Sequence, residues 1–291
     1  MGGLAREDLF TVVLEHRQTD TADYADVVLP ATMQPEHIDL HTTYGHHYAA
    51  WNEPALEPPG ECLPNAEIFR RIAGALGLDH PRLLDSDQEI ARQVLDTPAC
   101  GKAGITLEAL RERGWLRASD LEPGTAPFAE GGFPTRSGKV ELSSPGLAER
   151  GRDPLVGYVP PHESGDPELA KRFPLVLIAP ASRFFVNSSF AGLDWHLGKM
   201  GPPRVHLHPN DAAARGLTSG DPIRIWNDRG ESLAEAAVTD ATRPGVAFTF
   251  KAYWPKRSLA GRNVNATTPV RDTDLGGGPT FHDNRVQVEA A

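Results

Sequence analysis

The sequence predicts an α/β segment followed by a small closed or nearly closed β-barrel. Three observations carry this reading. The first half holds two short, continuous apolar runs near helical patterns, as strands covered on both faces do. The second half holds short β-rich runs separated by Gly, Pro, Asp and Asn turns. Between them, Ser143 to Arg172 is punctuated by proline and glycine without periodicity, as a connection between domains is.

Taken in order, Phe10-Thr-Val-Val-Leu14 reads as a buried strand and Val27-Val28-Leu29, closed by Pro30, as a second. Asn65 to Leu78 is the strongest helix, with Ile68, Ile72, Ala75 and Leu76 on one face and Gly77 as its stop. Weaker helices are expected over Asp87–Leu95, opened by Ser86, and over Thr106–Arg113. Ser137-Gly-Lys-Val-Glu-Leu142 reads as an edge strand after a turn at Gly131-Gly132. The barrel strands are Leu175–Ile178, Val205–Leu207, Pro222–Trp226, Ala234–Val238, Val246–Phe250 and Arg285–Val288. A short helix, Asn210–Arg215, ends at Gly216.

Composition sets the outer limits. The 291 residues suggest two domains, and 40% hydrophobic with 23% charged residues excludes wholesale disorder. A formal charge of −10 argues against nucleic acid as the partner, because phosphate neutralisation needs clustered Lys and Arg. No apolar run reaches the roughly 18 residues of a membrane span, and no signal-peptide pattern follows Met1, so a cytoplasmic location is expected. Cys62 and Cys100 stand far apart, which excludes a disulfide framework, a four-thiolate site, or an iron–sulfur cluster held by this chain alone.

Several constellations invite a chemical reading. His37, His41, His46 and His47 fall close together with Glu36 and Asp39, but their spacing matches no zinc pattern; lining a cavity or binding a polar ligand is the better reading. Asn187-Ser188-Ser189 and Asn265-Ala266-Thr267 place short amide and hydroxyl groups in loops after strands, suited to phosphate or heterocycle edges or simply to closing turns. The glycine run in Asp272-Thr-Asp-Leu-Gly-Gly-Gly278 precedes Pro279 and a strand rather than a helix, so it is not a Rossmann phosphate loop. Ser182 and Ser258 lack a nucleophile elbow.

Together these segments resemble the C-terminal part of a molybdopterin oxidoreductase of the dimethyl-sulfoxide-reductase family. The resemblance runs through Thr19-Asp-Thr-Ala-Asp-Tyr-Ala-Asp-Val-Val-Leu-Pro-Ala-Thr32, Glu36-His37, Tyr44-Gly45-His46, Asn52-Glu-Pro-Ala55, Pro59-Gly-Glu61 and Asn65-Ala-Glu-Ile-Phe69. It continues through Asn187-Ser-Ser-Phe190, His208-Pro-Asn-Asp-Ala212, Asn227-Asp-Arg-Gly230, Arg243-Pro-Gly-Val246, Asn263-Val-Asn265 and Thr273-Asp-Leu-Gly-Gly-Gly-Pro-Thr-Phe-His-Asp-Asn284.

That resemblance implies a fragment of the family's central α/β region over 1–145, a linker over 146–172, and a dinucleotide-binding double-psi β-barrel of the aspartate-decarboxylase-like type over 173–291. The implied cofactor is molybdenum or tungsten bis(molybdopterin guanine dinucleotide), used in oxygen-atom transfer or dehydrogenation of a small molecule. The resemblance assigns Ser182, Arg183, Asn187, Ser188 and Ser189 to a loop cupping one dinucleotide. Asn265, Phe281 and Asp283 would approach pterin or guanine, with Asp283 or Asp272 accepting guanine N–H bonds or only closing a turn. Thr19, Asp20, Thr32 and Glu36 would lie near the other pterin, and His37, His46, His47 and Trp51 beside a substrate funnel. One departure stands out: Pro180-Ala-Ser-Arg183 replaces the Thr-Gly-Arg of some relatives. The family's N-terminal portion, which carries the metal ligand and any iron–sulfur cysteines, has no counterpart here. The chain is therefore expected to need that portion, as a domain or subunit, for activity. A non-catalytic scaffold that keeps the fold without the metal is the alternative, and a zinc enzyme built on the histidines ranks last.

Overall fold

The computed structural model describes residues 2–42, 44–119 and 124–291. They fall into two compact units, Met1–Glu141 and Leu142–Ala291.

In the first unit, β1 (Val12–Glu15) and β2 (Val27–Pro30) pair in parallel, Val12 opposite Val27, but the burial expected of them does not follow: Val12, Val27 and Val28 are exposed and the rest of both strands is half-buried. Beyond β2 the backbone pairs onward with Leu63, whose carbonyl accepts from the Thr32 amide at 3.1 Å. A second, antiparallel sheet is built from β3 (Asp39–His41), β4 (Tyr48–Asn52) and β5 (Trp115–Arg117). Four helices form, α1 (Asn65–Ala75), α2 (Asp87–Leu95), α3 (Pro98–Lys102) and α4 (Leu107–Arg113), the last three opened by capping side chains. Ser86 and Glu89 close a reciprocal capping box on α2, and the Thr106 hydroxyl accepts from the Ala109 amide to open α4. Ala91, Leu95, Leu107 and Leu110 pack with Ala49 and Trp51 of β4 into this unit's core.

The expected edge strand over 137–142 does not form. Gly138 takes φ +67°, the Thr135 hydroxyl donates to the Lys139 carbonyl at 2.7 Å, and Glu141 accepts from the Ser137 amide at 2.9 Å. These local side-chain bonds compete with a ladder, and Val140 and Leu142 stay exposed.

The second unit opens with α5 (Pro145–Ala148) and α6 (Pro167–Arg172). Then come β6 (Leu175–Ile178), α7 (Asp194–Met200), β7 (Arg204–Leu207), α8 (Pro209–Ala213), β8 (Pro222–Asn227), β9 (Gly230–Val238), β10 (Val246–Thr249) and β11 (Arg285–Ala290). The six strands close a barrel in the order β10-β6-β11-β8-β9-β7. β6–β10 and β7–β9 are parallel and the remaining neighbours antiparallel. Alternate residues point inward: Leu175 and Leu177, Val205 and Leu207, Ile223 and Ile225, Ala234 and Ala236, Val286 and Val288 form one buried cluster. Small residues on β9 leave room for the branched side chains opposite, the usual way a six-strand interior is filled. Among the described residues no helix is long and apolar enough to cross a membrane.

Candidate functional site

Topology collects the barrel's candidate residues at one end. β6 and β10 run parallel, so the loops after them leave together; β11 is antiparallel to β6, so the segment entering it lies there too. The β8–β9 turn shares that end because β8 is antiparallel to β11. Contacts between the loops agree with this. The Lys251 amide donates to the Pro180 carbonyl at 3.1 Å, and Trp254 Nε1 donates to the Ser188 carbonyl at 2.9 Å.

The loop after β6 is shaped from within. Buried Ser182 turns its hydroxyl back to accept from the amides of Phe184 (3.1 Å) and Phe185 (3.0 Å). Val186 and Ser189 exchange backbone bonds across a tight turn in which Asn187 takes φ +50°, a conformation asparagine tolerates. Phe185, Ala191, Tyr253 and Trp254 pack beneath it. The Trp254 ring lies so close that a Cβ on Gly192 would sit 2.6 Å from its edge. Burial pushes the Tyr253 phenol up to about 12, against the opposing pull of Arg204, and its hydroxyl donates to the Gly201 carbonyl. On this support Asn187, Ser188 and Ser189 stay exposed. The Arg183 guanidinium lies 5.6 Å from the Phe184 ring and the Lys251 ammonium 5.2 Å from the Phe281 ring. Neither cation has a carboxylate partner among the described residues.

Asp283 is used differently. Its carboxylate accepts from the amides of Glu163 (3.1 Å) and Ser164 (2.8 Å) and from the Ser164 hydroxyl (2.9 Å). Burial alone would raise its pKa, but these donors, with the His162 amide, hold it below the ordinary aspartate value. Glu163 in turn forks with Arg229 at 2.6 and 3.0 Å and accepts from the Arg285 amide. Inside this latch, buried Asn227 donates to Thr267 and Asn284, and Asn284 donates to the Thr267 hydroxyl. Asn265 sits exposed on the turn carrying Thr267. Sequence reasoning missed Lys251, Glu163, Ser164, Asn227, Arg229 and Asn284 as supports. The resemblance quoted the segments holding Asn227, Arg229 and Asn284, but no periodicity marks Glu163 or Ser164.

The first-unit candidates divide. The Thr19 hydroxyl accepts from the Ala22 amide at 3.3 Å, with Asp20 following it, and Glu36 accepts from the Met33 amide at 2.8 Å. Thr32, buried, shares a 2.8 Å hydrogen bond with His37 Nδ1, and both line a cavity of about 370 Å³ with Asp39, Trp51 and Asn65. His41 bonds Gln34, and His46 accepts from the Tyr48 amide. Trp51 Nε1 donates to Glu53, lowering that carboxyl's pKa together with Arg111 and against some burial. Among the described residues no three His, Cys, Asp or Glu side chains are placed to hold a metal ion.

Residues 175–285, which run from β6 to the start of β11 and hold the loops gathered at the barrel's end, match the molydopterin dinucleotide binding domain. Residues 3–75 match the molybdopterin oxidoreductase family. The probable oxidoreductase YoaE of Bacillus subtilis is 38% identical over 99% of this chain and 41% of its own length. The dimethyl sulfoxide reductase DmsA of Escherichia coli is 30% identical over 96% of this chain and 37% of its own. The chain thus spans about two fifths of the curated relatives it matches. The acetylene hydratase from Pelobacter acetylenicus shares the fold with a TM-score of 0.74 at 23% identity, over 99% of this chain and 41% of that one. By these matches the chain is similar to molybdopterin oxidoreductases over residues 3–75 and to their dinucleotide binding domain over residues 175–285.

Proposed function

We propose that this chain is the C-terminal, pterin-dinucleotide-binding portion of a molybdenum or tungsten oxidoreductase, its barrel of the double-psi type, completed for activity by further polypeptide. One observation carries the reading: the shared barrel end presents Arg183 and Lys251, without carboxylate partners among the described residues, beside the exposed amides and hydroxyls of Asn187, Ser188 and Ser189. In a chain of net charge −10, cations left free beside donor-rich loops suit a pyrophosphate. The residues present therefore fit the nucleotide part of bis(molybdopterin guanine dinucleotide).

When bound, that cofactor supplies a metal that exchanges two electrons with a small-molecule substrate. The chain's own groups bind and orient it. Arg183 pairs its planar fork with phosphate oxygens while Phe184 supports the guanidinium face. Asn265 and Phe281 offer an amide and a ring to the heterocycles. Asp283 acts through the latch, holding the segment entering β11 in place. In the first unit, Thr19, Asp20, Thr32 and Glu36 are assigned to the second pterin, with Thr32 and His37 facing its surroundings. The metal ligand and any iron–sulfur cluster belong to the additional polypeptide.

The test uses the purified chain and a fluorescent guanosine diphosphate, which carries the pyrophosphate and base without the pterin. Saturable binding is expected, weakened about tenfold by Arg183→Ala and further by adding Lys251→Ala. Absence of saturable binding, or identical affinity in both variants, rejects the assignment. Binding by the chain without metal retention in a reconstituted complex would instead support the scaffold alternative.

A further inference from the structure

Glu163 and Ser164 fall in the stretch that reads, from the sequence, as a connection between domains, yet both are built into the barrel end that carries the candidate loops. The joint is one guanidinium. Arg229, on the β8–β9 turn, donates through Nη1 and Nη2 to the two Glu163 carboxylate oxygens at 2.6 and 3.0 Å. Its Nε donates to the Thr267 carbonyl at 2.7 Å, and Nη2 donates again to Asn284 Oδ1 at 3.0 Å. Three segments distant in sequence are held by one planar fork, which an ammonium on a flexible stem cannot reproduce. A second contact is independent of charge. The Gly230 backbone runs so close to the turn over Val264–Thr267 that a Cβ on it would lie 2.8 Å from the Ala266 carbonyl oxygen. Gly230 does not take a left-handed φ, so its missing side chain serves the close approach alone.

The segments fixed in this way carry Asn265 and Phe281, which stand exposed two residues before Thr267 and three before Asn284. Arg183 and Lys251 stand instead on the loops after β6 and β10. We infer that Arg229 is a positioning residue for the guanine end of the dinucleotide: with Glu163 and Gly230 it sets where Asn265 and Phe281 present their amide and ring, and it leaves the phosphate end to Arg183 and Lys251. The inference deepens the proposed function and rests on it for the identity of the ligand. Fixing both segments before the ligand arrives removes an ordering cost from binding, so the latch adds affinity for the base without touching it.

The experiment titrates the full chain and its variants with guanosine diphosphate and, separately, with inorganic pyrophosphate. Arg229→Lys keeps the charge and loses the fork; it is expected to weaken guanosine diphosphate about tenfold and to leave pyrophosphate within about twofold. Gly230→Ala, which adds only a methyl against the Ala266 carbonyl, should show the same split. Glu163→Gln keeps the shape and removes the charge, with a smaller loss of about threefold for guanosine diphosphate alone. Arg183→Ala should weaken both ligands. Hydrogen exchange without ligand reads the latch itself: in Arg229→Lys the amides over 265–268 and 281–284 should exchange at least about tenfold faster while those of β6 stay unchanged. Equal weakening of both ligands in these variants, or unchanged guanosine-diphosphate affinity, overturns the inference. A native chain that binds no guanosine diphosphate overturns the nucleotide assignment and the inference with it. Unchanged exchange over both segments, in a chain that does bind, overturns the latch alone.

Discussion

The barrel and the first unit solve the edge problem in opposite ways. In the barrel every strand has two neighbours, and the inward side chains of β6, β7, β8 and β11 are essentially inaccessible to solvent. Closure alone removes the edges. In the first unit, β1 and β2 carry apolar residues of the same kind, yet Val12, Val27 and Val28 remain exposed. A run of valines therefore does not specify burial; the connectivity available around it does. The barrel is closed by its own strands, whereas the β1–β2 sheet leaves apolar residues exposed.

Substitutions can break or sharpen that contrast. The largest effect is expected for Leu177→Ala, inside the closed barrel with no exposed surface, at a cost of about 2–5 kcal/mol in denaturant unfolding. A loss below about 0.5 kcal/mol there would mean the barrel interior is loosely packed. Gly192→Ala comes next, because its methyl would meet the Trp254 ring; about 1–3 kcal/mol is expected, together with weaker guanosine-diphosphate binding. Asp283→Asn tests the latch by its pH dependence. The folded-state pKa of Asp283 is depressed, so its stabilisation is present above the unfolded value of about 3.9 and is lost as pH falls through the folded value. The variant should therefore lose stability at neutral pH and show a flatter fall below about pH 4, and parallel native and variant curves would refute this. Smallest is Val12→Ala, at an exposed position, expected to change stability by less than about 0.5 kcal/mol in the same unfolding measurement.

The same contrast explains what could be read before the structure. The barrel strands were legible because alternation and turn residues repeat, as in Pro222-Ile-Arg-Ile-Trp226 and Arg285-Val-Gln-Val288. The helices at 87–95 and 107–113 were legible through Ser86 and Thr106. The strands β3, β4 and β5 were not, since Asp39-Leu-His41 and Trp115-Leu-Arg117 are too short to show a period. The false strand at 137–142 arose because Val140 and Leu142 mimic alternation that local hydroxyl bonds prevent. At the candidate site, loop membership was readable for Ser182 through Ser189, but the support was not. Glu163 reaches Arg229 and Arg285 across more than a hundred residues of sequence in one case, and no local pattern announces so distant a partner.

The strand order also dictates when the barrel can assemble. β6, the first barrel strand made, is joined on one side by β10 and on the other by β11, the last. Non-local pairings of this kind slow the search for the native topology. During synthesis the ring must wait, open, until its final strand leaves the ribosome, so nascent chains halted before Arg285 should display an unsealed seam to chaperones.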